Sequence, residues 1–352
     1  MNEQSKQFLL NLLNAASPSG FEEPAARIWR TEAEHFADEV QVDVNGSSHA
    51  RLRGTGPVVA IEGHIDEIGL MITHIDDQGF LWFRPIGGWD DQVLTGQRVR
   101  VTGQAGITTG VIGRSPIHLL GEEERGQAAK IKDLWIDIGA KDGDEARERV
   151  AVGDVAVIEQ PPIELRNNRL IARGIDNRVG SYVGLETLRL LAADRPAADV
   201  YAVAATQEEI THLGARTSAY ALKPAVAIVV DVTHATDAPG ADKRGEGDHR
   251  IGGGPVLARG SAVHPLVFNR LGEAARANDI AYSVEAAPRQ TWTDADVFAP
   301  SRAGIPTGLV SIPNRYMHSP NEQVSLDDLD ATARLIAAFV RELGPNPDFA
   351  RR

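Results

Sequence analysis

The chain has no cysteine. That excludes disulfides, thiolate nucleophiles and cysteine-held zinc, so any metal must be bound by His, Asp or Glu. It also has no excess of positive charge: 36 Lys and Arg stand against 49 Asp and Glu, for a formal net charge of -13. A balance of that sign argues against nucleic acid and against an anionic membrane surface, both of which call for basic patches. No run of about 20 apolar residues occurs, so no membrane span is expected. The apolar stretch near the start follows an acidic residue and a single Lys. In it Phe8, Leu9, Leu12 and Leu13 fall at helical spacing, which reads as an amphipathic helix rather than a secretory leader. The expected location is therefore the cytoplasm. Glycine clusters such as IGGGP lack the Lys-Ser/Thr context of a phosphate loop. GRSPI and RGSAV do not make a nucleophile elbow. Trp82, Trp89, Trp135 and Trp292 are too scattered for a sugar platform. There is no internal repeat and no low-complexity stretch.

What is present is a chain of 352 residues, 42% hydrophobic, enough for two domains or for one domain with a large insertion. Residues 1 to about 65 read as helix, helix, strand. Ser19 and Glu22 are spaced as a capping box ahead of a helix through Trp29. Val58, Val59, Ala60 and Ile61 make a short buried-strand run that ends at Gly63 and His64. From about 67 to 163 the rhythm changes to short strands and Gly-containing turns, with Asp76-Asp77-Gln78-Gly79 as a hairpin turn; this predicts a small all-β barrel or sandwich. From about 165 strands and helices alternate again. Segment 177–194 reads as a helix with Val179, Val183, Leu188 and Leu191 near one side. The run AVAIVV lacks alternation, which fits a strand buried on both faces. Residues 238–254 read as a long loop. The expected fold is an α/β domain with a mixed sheet, made of residues 1–66 and 164–352 and interrupted by a β domain, 67–163.

In open α/β sheets, sites form outside the carboxyl ends of the strands. His64 follows one strand-like run, Glu208 and Glu209 follow VYAVAAT, Asp231 ends AVAIVV, and His318 lies a few residues after TGLVSIP. Asp176 precedes a helix at the same edge. Imidazoles and carboxylates are the ligands that borderline divalent metals prefer. Asp66, two residues beyond His64, is placed to accept the second ring proton and fix the tautomer. Glu208 and Glu209 are adjacent and point apart, so one can ligate while the other serves a water as base. Singly, each has a plainer reading. Paired acids often mark a solvated helix start, and Asp176 could be a helix cap. Joint placement at one edge favours a site. His35, His49, His74, His118, His249 and His264 lack that placement and read as structural.

Several motifs together resemble one family over nearly the full length: SPSGFEEP, GHIDEIGLMI, GGWDDQVLTGQRV, GIDNRVG, TQEEITHLGA, DVTHATDAPGADKR, TDADVF and SIPNRYMHSPNEQVSLDDL. The chain resembles the tetrahedral (TET) aminopeptidases, the glutamyl or deblocking aminopeptidase group of co-catalytic metallopeptidases. The resemblance implies a three-layer catalytic domain with an inserted barrel used for dimerisation, and dimers that build a twelve-subunit tetrahedron. It implies two divalent ions, zinc first with cobalt or manganese as alternatives, and short peptides as substrates. His64 and Asp231 would bind one ion, Glu209 and His318 the other, and Asp176 both. Glu208 would be the general base, with Asp66 orienting His64. Alternatives on the same plan are a carboxypeptidase or an N-acyl amino-acid deacylase. A glycosidase or a non-catalytic scaffold is less compatible with a His-rich cluster beside an intact base. The sequence departs from the family pattern at Thr211 and His212, after the paired acids, and at Trp292; these bear on the wall around the first substrate side chain.

Overall fold

The computed structural model describes residues 1–103 and 105–351. Its larger part is an eight-stranded mixed sheet. In spatial order the strands are Glu39–Val42, Ser48–Leu52, Asp199–Ala205, Val58–His64, Val226–His234, Thr307–Asn314, Val256–Gly260 and Ser283–Ala287. The four central strands, from Asp199–Ala205 to Thr307–Asn314, run parallel. Their residues alternate between two cores. Val59, Ile61, Ile228 and Val230 face one, while Ala60, Ala227 and Val229 face the other. The unalternating run AVAIVV is thus apolar because both of its faces are covered.

The first face carries the helices Glu3–Asn14, Glu23–Ala33, Ile175–Ala193, Pro265–Ala277 and Leu326–Glu342. Phe8, Leu9, Leu12 and Leu13 are buried there, as the helical spacing predicts. The Ile175–Ala193 helix differs from its one-sided reading. Residues 175–188 are all buried, because three other helices cover its outer side. The second face is thinner and rich in alanine, with the helices Leu213–Leu222 and Ala295–Phe298 against it. Gly214 permits this close approach: a Cβ there would lie 2.3 Å from the backbone nitrogen of Thr206.

The inserted segment forms a closed antiparallel barrel. Its strands, in order around the barrel, are Gly69–Ile75, Leu81–Ile86, Trp135–Asp137, Gly106–Gly113, Arg98–Gly103 and Val155–Ile158. Its separate core includes Leu70, Ile72, Leu81, Phe83, Val99, Val101 and Ile136. Each such side chain contributes about 1.5–3 kcal/mol on burial. The hairpin turn forms where expected, with Asp76 Oδ1 accepting from the backbone N–H groups of Gln78 and Phe80.

A buried ion cluster ties the start of the barrel to the α/β layers. Glu67 accepts from the guanidinium groups of Arg173 and Arg178. Arg178 also donates to the carbonyls of Leu12, Leu13, Ala15, Ser17 and Ile65. Removing one partner of so buried a pair generally costs about 3–5 kcal/mol.

The capping box does not form. The helix begins at Glu23, and the Ser17 hydroxyl, not that of Ser19, accepts from the N–H of Ala25 at 2.9 Å. Glu22 turns away to accept from the N–H groups of Gly20 and Gln207. The long-range contact to Gln207, in the turn that carries Glu208 and Glu209, takes the side chain that the local motif would use. Within 238–254, Lys243–Glu246 is one helical turn and the remainder has no regular structure. Among the described residues no helix is long and apolar enough to cross a membrane.

Candidate active site

Parallel strands leave their carboxyl ends side by side, and the candidate residues collect there. His64 is the last residue of Val58–His64, in register with Ala205. Just beyond Ala205 a one-turn helix, Glu208–Thr211, carries the paired acids. Asp231 lies inside the Val226–His234 strand, opposite Ser311, rather than at its end as its apolar run suggests. Asp176 sits on non-helical backbone at the start of the Ile175–Ala193 helix and does not cap it; the cap position is Gly174. His318 follows the Thr307–Asn314 strand with a left-handed backbone, φ +58°.

All six proposed ligands and base line one cleft of about 670 Å³. Asp176 stands at its centre. Oδ1 is 3.3 Å from His64 Nε2, and Oδ2 is 3.3 Å from His318 Nε2. Glu209 Oε1 is 3.5 Å from His318 Nε2, while Glu208 Oε2 is 3.7 Å from His64 Nε2. The adjacent acids therefore do point apart, toward different imidazoles. Asp231 joins His64 and Glu208 in one group of potential ligand atoms, all within 4.8 Å of one another; His64, Asp176 and Glu209 form a second.

Asp66 has more contacts than its spacing from His64 suggests. Its Oδ1 lies 3.4 Å from His64 Nδ1, and its two oxygens accept from the N–H groups of Glu208 and Glu209 at 3.1 and 3.2 Å. One buried carboxylate thus stands beside the imidazole and holds the turn that bears the paired acids.

The electrostatics are those of crowded buried carboxylates. Burial pushes Asp231 well above the usual carboxylate range, with His64 opposing and the charges of Asp176 and Glu208 adding. Burial likewise lifts Glu209 to about 7 against the pull of His318. Burial disfavours the charged form of His318, yet Asp176 and Glu209 outweigh it and raise the ring to about 11. Four carboxylates, Asp176, Glu208, Glu209 and Asp231, crowd around two imidazoles, and burial raises the last three above the usual carboxylate range. Glu209 Oε1 is buried without a hydrogen bond. Both observations fit divalent cations, which hard oxygens and imidazole nitrogens hold well.

Three further side chains belong to the site beyond the ligands and base that the sequence assigns. Glu322, buried on the Glu322–Ser325 strand, accepts from the N–H of Asp176 at 2.9 Å and of His318 at 2.8 Å. His212 and Asp294 contact each other at 2.9 Å, and His212 Nδ1 lies 3.2 Å from Glu208 Oε1. These hydrogen bonds raise His212 to about 10. The i, i+4 spacing of Glu208 and His212 could have suggested the pair. Trp292 is 80% exposed at the cleft with φ +57°, a backbone region that suits glycine. On the barrel side Gly88 lets the chain pass over His318; a Cβ there would sit 3.2 Å from its Nδ1. Of the histidines read as structural, His49 is buried on Ser218, and His249 on Ser283 and the Glu246 carbonyl.

Comparison with known proteins gives one answer. Residues 46–335 match the family model described as M42 glutamyl aminopeptidase. Lysyl aminopeptidase of Pyrococcus furiosus is 34% identical over 96% of this chain and 97% of its own length. The TET aminopeptidase of a marine-sediment Thaumarchaeota archaeon superposes with a TM-score of 0.93 at 33% identity, covering 97% of both chains. The TET1 peptidase of Pyrococcus horikoshii, described as assembling into a tetrahedron or a large octahedral shell, superposes with a TM-score of 0.85 at 31% identity, covering 96% of this chain and 100% of its own. Sequence, fold and the His-carboxylate cluster agree, and the chain belongs to the M42 glutamyl aminopeptidase family of metallopeptidases.

Proposed function

We propose that the chain releases N-terminal residues from short peptides at a centre for two divalent ions, with Glu208 as general base. The observation that carries this reading is Asp176, whose two oxygens face different imidazoles at equal distance. In this reading His64 and Asp231 hold one ion, Glu209 and His318 the other, and Asp176 both. Zinc is the expected ion, with cobalt or manganese as alternatives for so carboxylate-rich a set. Bound ions would polarise the scissile carbonyl and lower the pKa of the attacking water. Glu208, beside the cluster but paired with neither His318 nor a backbone donor, takes the proton from that water and returns it to the leaving amine. Asp66 holds the Glu208–Glu209 turn and the far nitrogen of His64. Glu322 holds the backbone of Asp176 and His318.

The preference for a free N-terminus follows from charge. Beyond the ligands the cleft is lined by the acids Glu246 and Glu285 against the single guanidinium of Arg289, and the half-buried Glu285 accepts from the Thr233 hydroxyl. A substrate ammonium is favoured in that field, and acylation removes its charge. Leu-p-nitroanilide is therefore expected to turn over about 10- to 100-fold faster than its N-acetyl form, the loss of a charge-assisted contact. Chelation is expected to abolish turnover and added divalent ion to restore it. Faster cleavage of the acetylated compound would assign the site to a deacylase instead.

We also read residues 67–163 as the dimerisation unit of a dodecamer. Ile107, Ile117, Leu119 and Val152 are 57–80% exposed on this unit, more large apolar surface than an isolated barrel needs to show. The Pyrococcus horikoshii relative is described as assembling into a tetrahedron or a large octahedral shell. Light scattering is expected to give a twelve-chain particle. Exchanging Ile107 and Leu119 for Lys should reduce it to smaller species; a monomeric wild type would overturn this assignment.

A further inference from the structure

Glu208 is a long side chain lining the cleft, and a general base works only if its carboxylate stays aimed at the water. The surrounding contacts hold it. The turn that bears it has left-handed residues at both ends, Gln207 with φ +58° and His212 with φ +55°. The N–H of His212 closes the turn on the carbonyl of Glu208. The His212 ring then comes back over the Glu208 side chain, four residues along the same turn.

We infer that His212 is a positioning residue for the Glu208 carboxylate, itself held by Asp294. This rests on the assignment of Glu208 as base. Nδ1 is hydrogen-bonded to Asp294 Oδ1 at 2.9 Å and lies 3.2 Å from Glu208 Oε1, within ion-pair distance. Glu208 Oε1 is thereby engaged, and Oε2, 3.7 Å from His64 Nε2, is the oxygen left toward the ligand cluster. Asp294 is a firm anchor. It is 1% exposed, and its backbone carbonyl accepts from Val297 and Phe298. His212 is hydrogen-bonded to its carboxylate at Oδ1, and Asp294 Oδ2 is buried. Behind it lies the buried Glu62, whose carboxyl is pushed well above the usual range by burial and by the Asp294 carboxylate beside it. Asp294 therefore fixes the ring, and the ring fixes the base.

The left-handed backbone at position 212 decides which variants are informative. Glycine adopts it freely and asparagine tolerates it, so both keep the turn. Asparagine also places an amide N–H on Cγ, where the imidazole carries Nδ1, whereas glycine has no donor. His212→Gly is expected to lower kcat about 10- to 100-fold, the loss of one hydrogen bond to a charged group. KM and the bound-metal content should stay within about twofold, because the lost contact orients a reacting group and does not hold substrate. His212→Asn should recover most of that kcat.

In a double-mutant cycle, His212→Gly should add nothing further on a Glu208→Gln background. Equal kcat in wild type and His212→Gly overturns the proposal. So does an equal loss in the glycine and asparagine variants, which would make the ring's bulk the important feature. A loss that persists on the Glu208→Gln background also overturns it, by placing the action of His212 elsewhere. If Glu208→Gln is itself as active as wild type, the base assignment fails first, and that single variant separates the two failures.

Discussion

Glu208→Gln is expected to lower kcat by about 10²- to 10⁴-fold, the usual range for loss of a positioned general base. Metal content should remain at the wild-type level. The amide keeps the shape of the carboxylate and can still accept from His212, so the turn and the cleft persist. It cannot take a proton. The ligands assigned to the ions, His64, Asp176, Glu209, Asp231 and His318, are untouched, and the two acids diverge toward different imidazoles. Glu209→Gln provides the contrast. That change alters a ligand and should lose an ion along with activity. Metal analysis of the two variants beside their kcat values tests the division of labour between adjacent glutamates. Substantial turnover by Glu208→Gln would remove it from the mechanism. Equal metal loss in both variants would make Glu208 a ligand.

Much of this site was legible before any coordinates because it is made by strand ends. A run such as AVAIVV marks a strand covered on both faces, and the first charged residue after it must lie near the sheet's edge or be compensated inside. His64, Asp231, Glu208 and Glu209 all follow such runs, and parallel pairing brings them together. Asp231 shows how far this holds. Its strand continues three residues past it, because the pairing with Thr307–Asn314 extends to His234 and Asn314. The residues that escaped are those whose meaning is set by distant partners. Glu322 reads as one acid in a short strand, yet it accepts from two backbone N–H groups flanking the site. Glu22 fits a local capping motif, but Gln207, far along the chain, claims its carboxylate. Asp294 and His212 meet only after the second helical layer has packed on the sheet. Periodicity and caps report local preference, while such contacts arise only in the tertiary fold.

Asp176→Ala is expected to cost both ions, whereas Asp231→Ala should cost one. The difference follows from geometry. Asp231 is grouped with His64 and Glu208 on one side of the cluster. Asp176 lies between the two imidazoles, with a different oxygen toward each. Its place is fixed independently of any ion, since its N–H is held by Glu322 and its neighbour Asn177 donates to the carbonyl of Val230. Removing the carboxylate leaves that backbone in place and deletes a partner from both His64 and His318. The remaining ligands on each side are then two, too few for a closed site of the four-coordinate kind zinc prefers. Elemental analysis after dialysis should therefore give close to no bound metal for Asp176→Ala and about half the wild-type content for Asp231→Ala. Turnover of Leu-p-nitroanilide should be lost in the first variant and should not return with excess divalent ion. Retention of one full equivalent by Asp176→Ala would mean that one ion stands without the central carboxylate, and the shared-ligand arrangement would have to be abandoned.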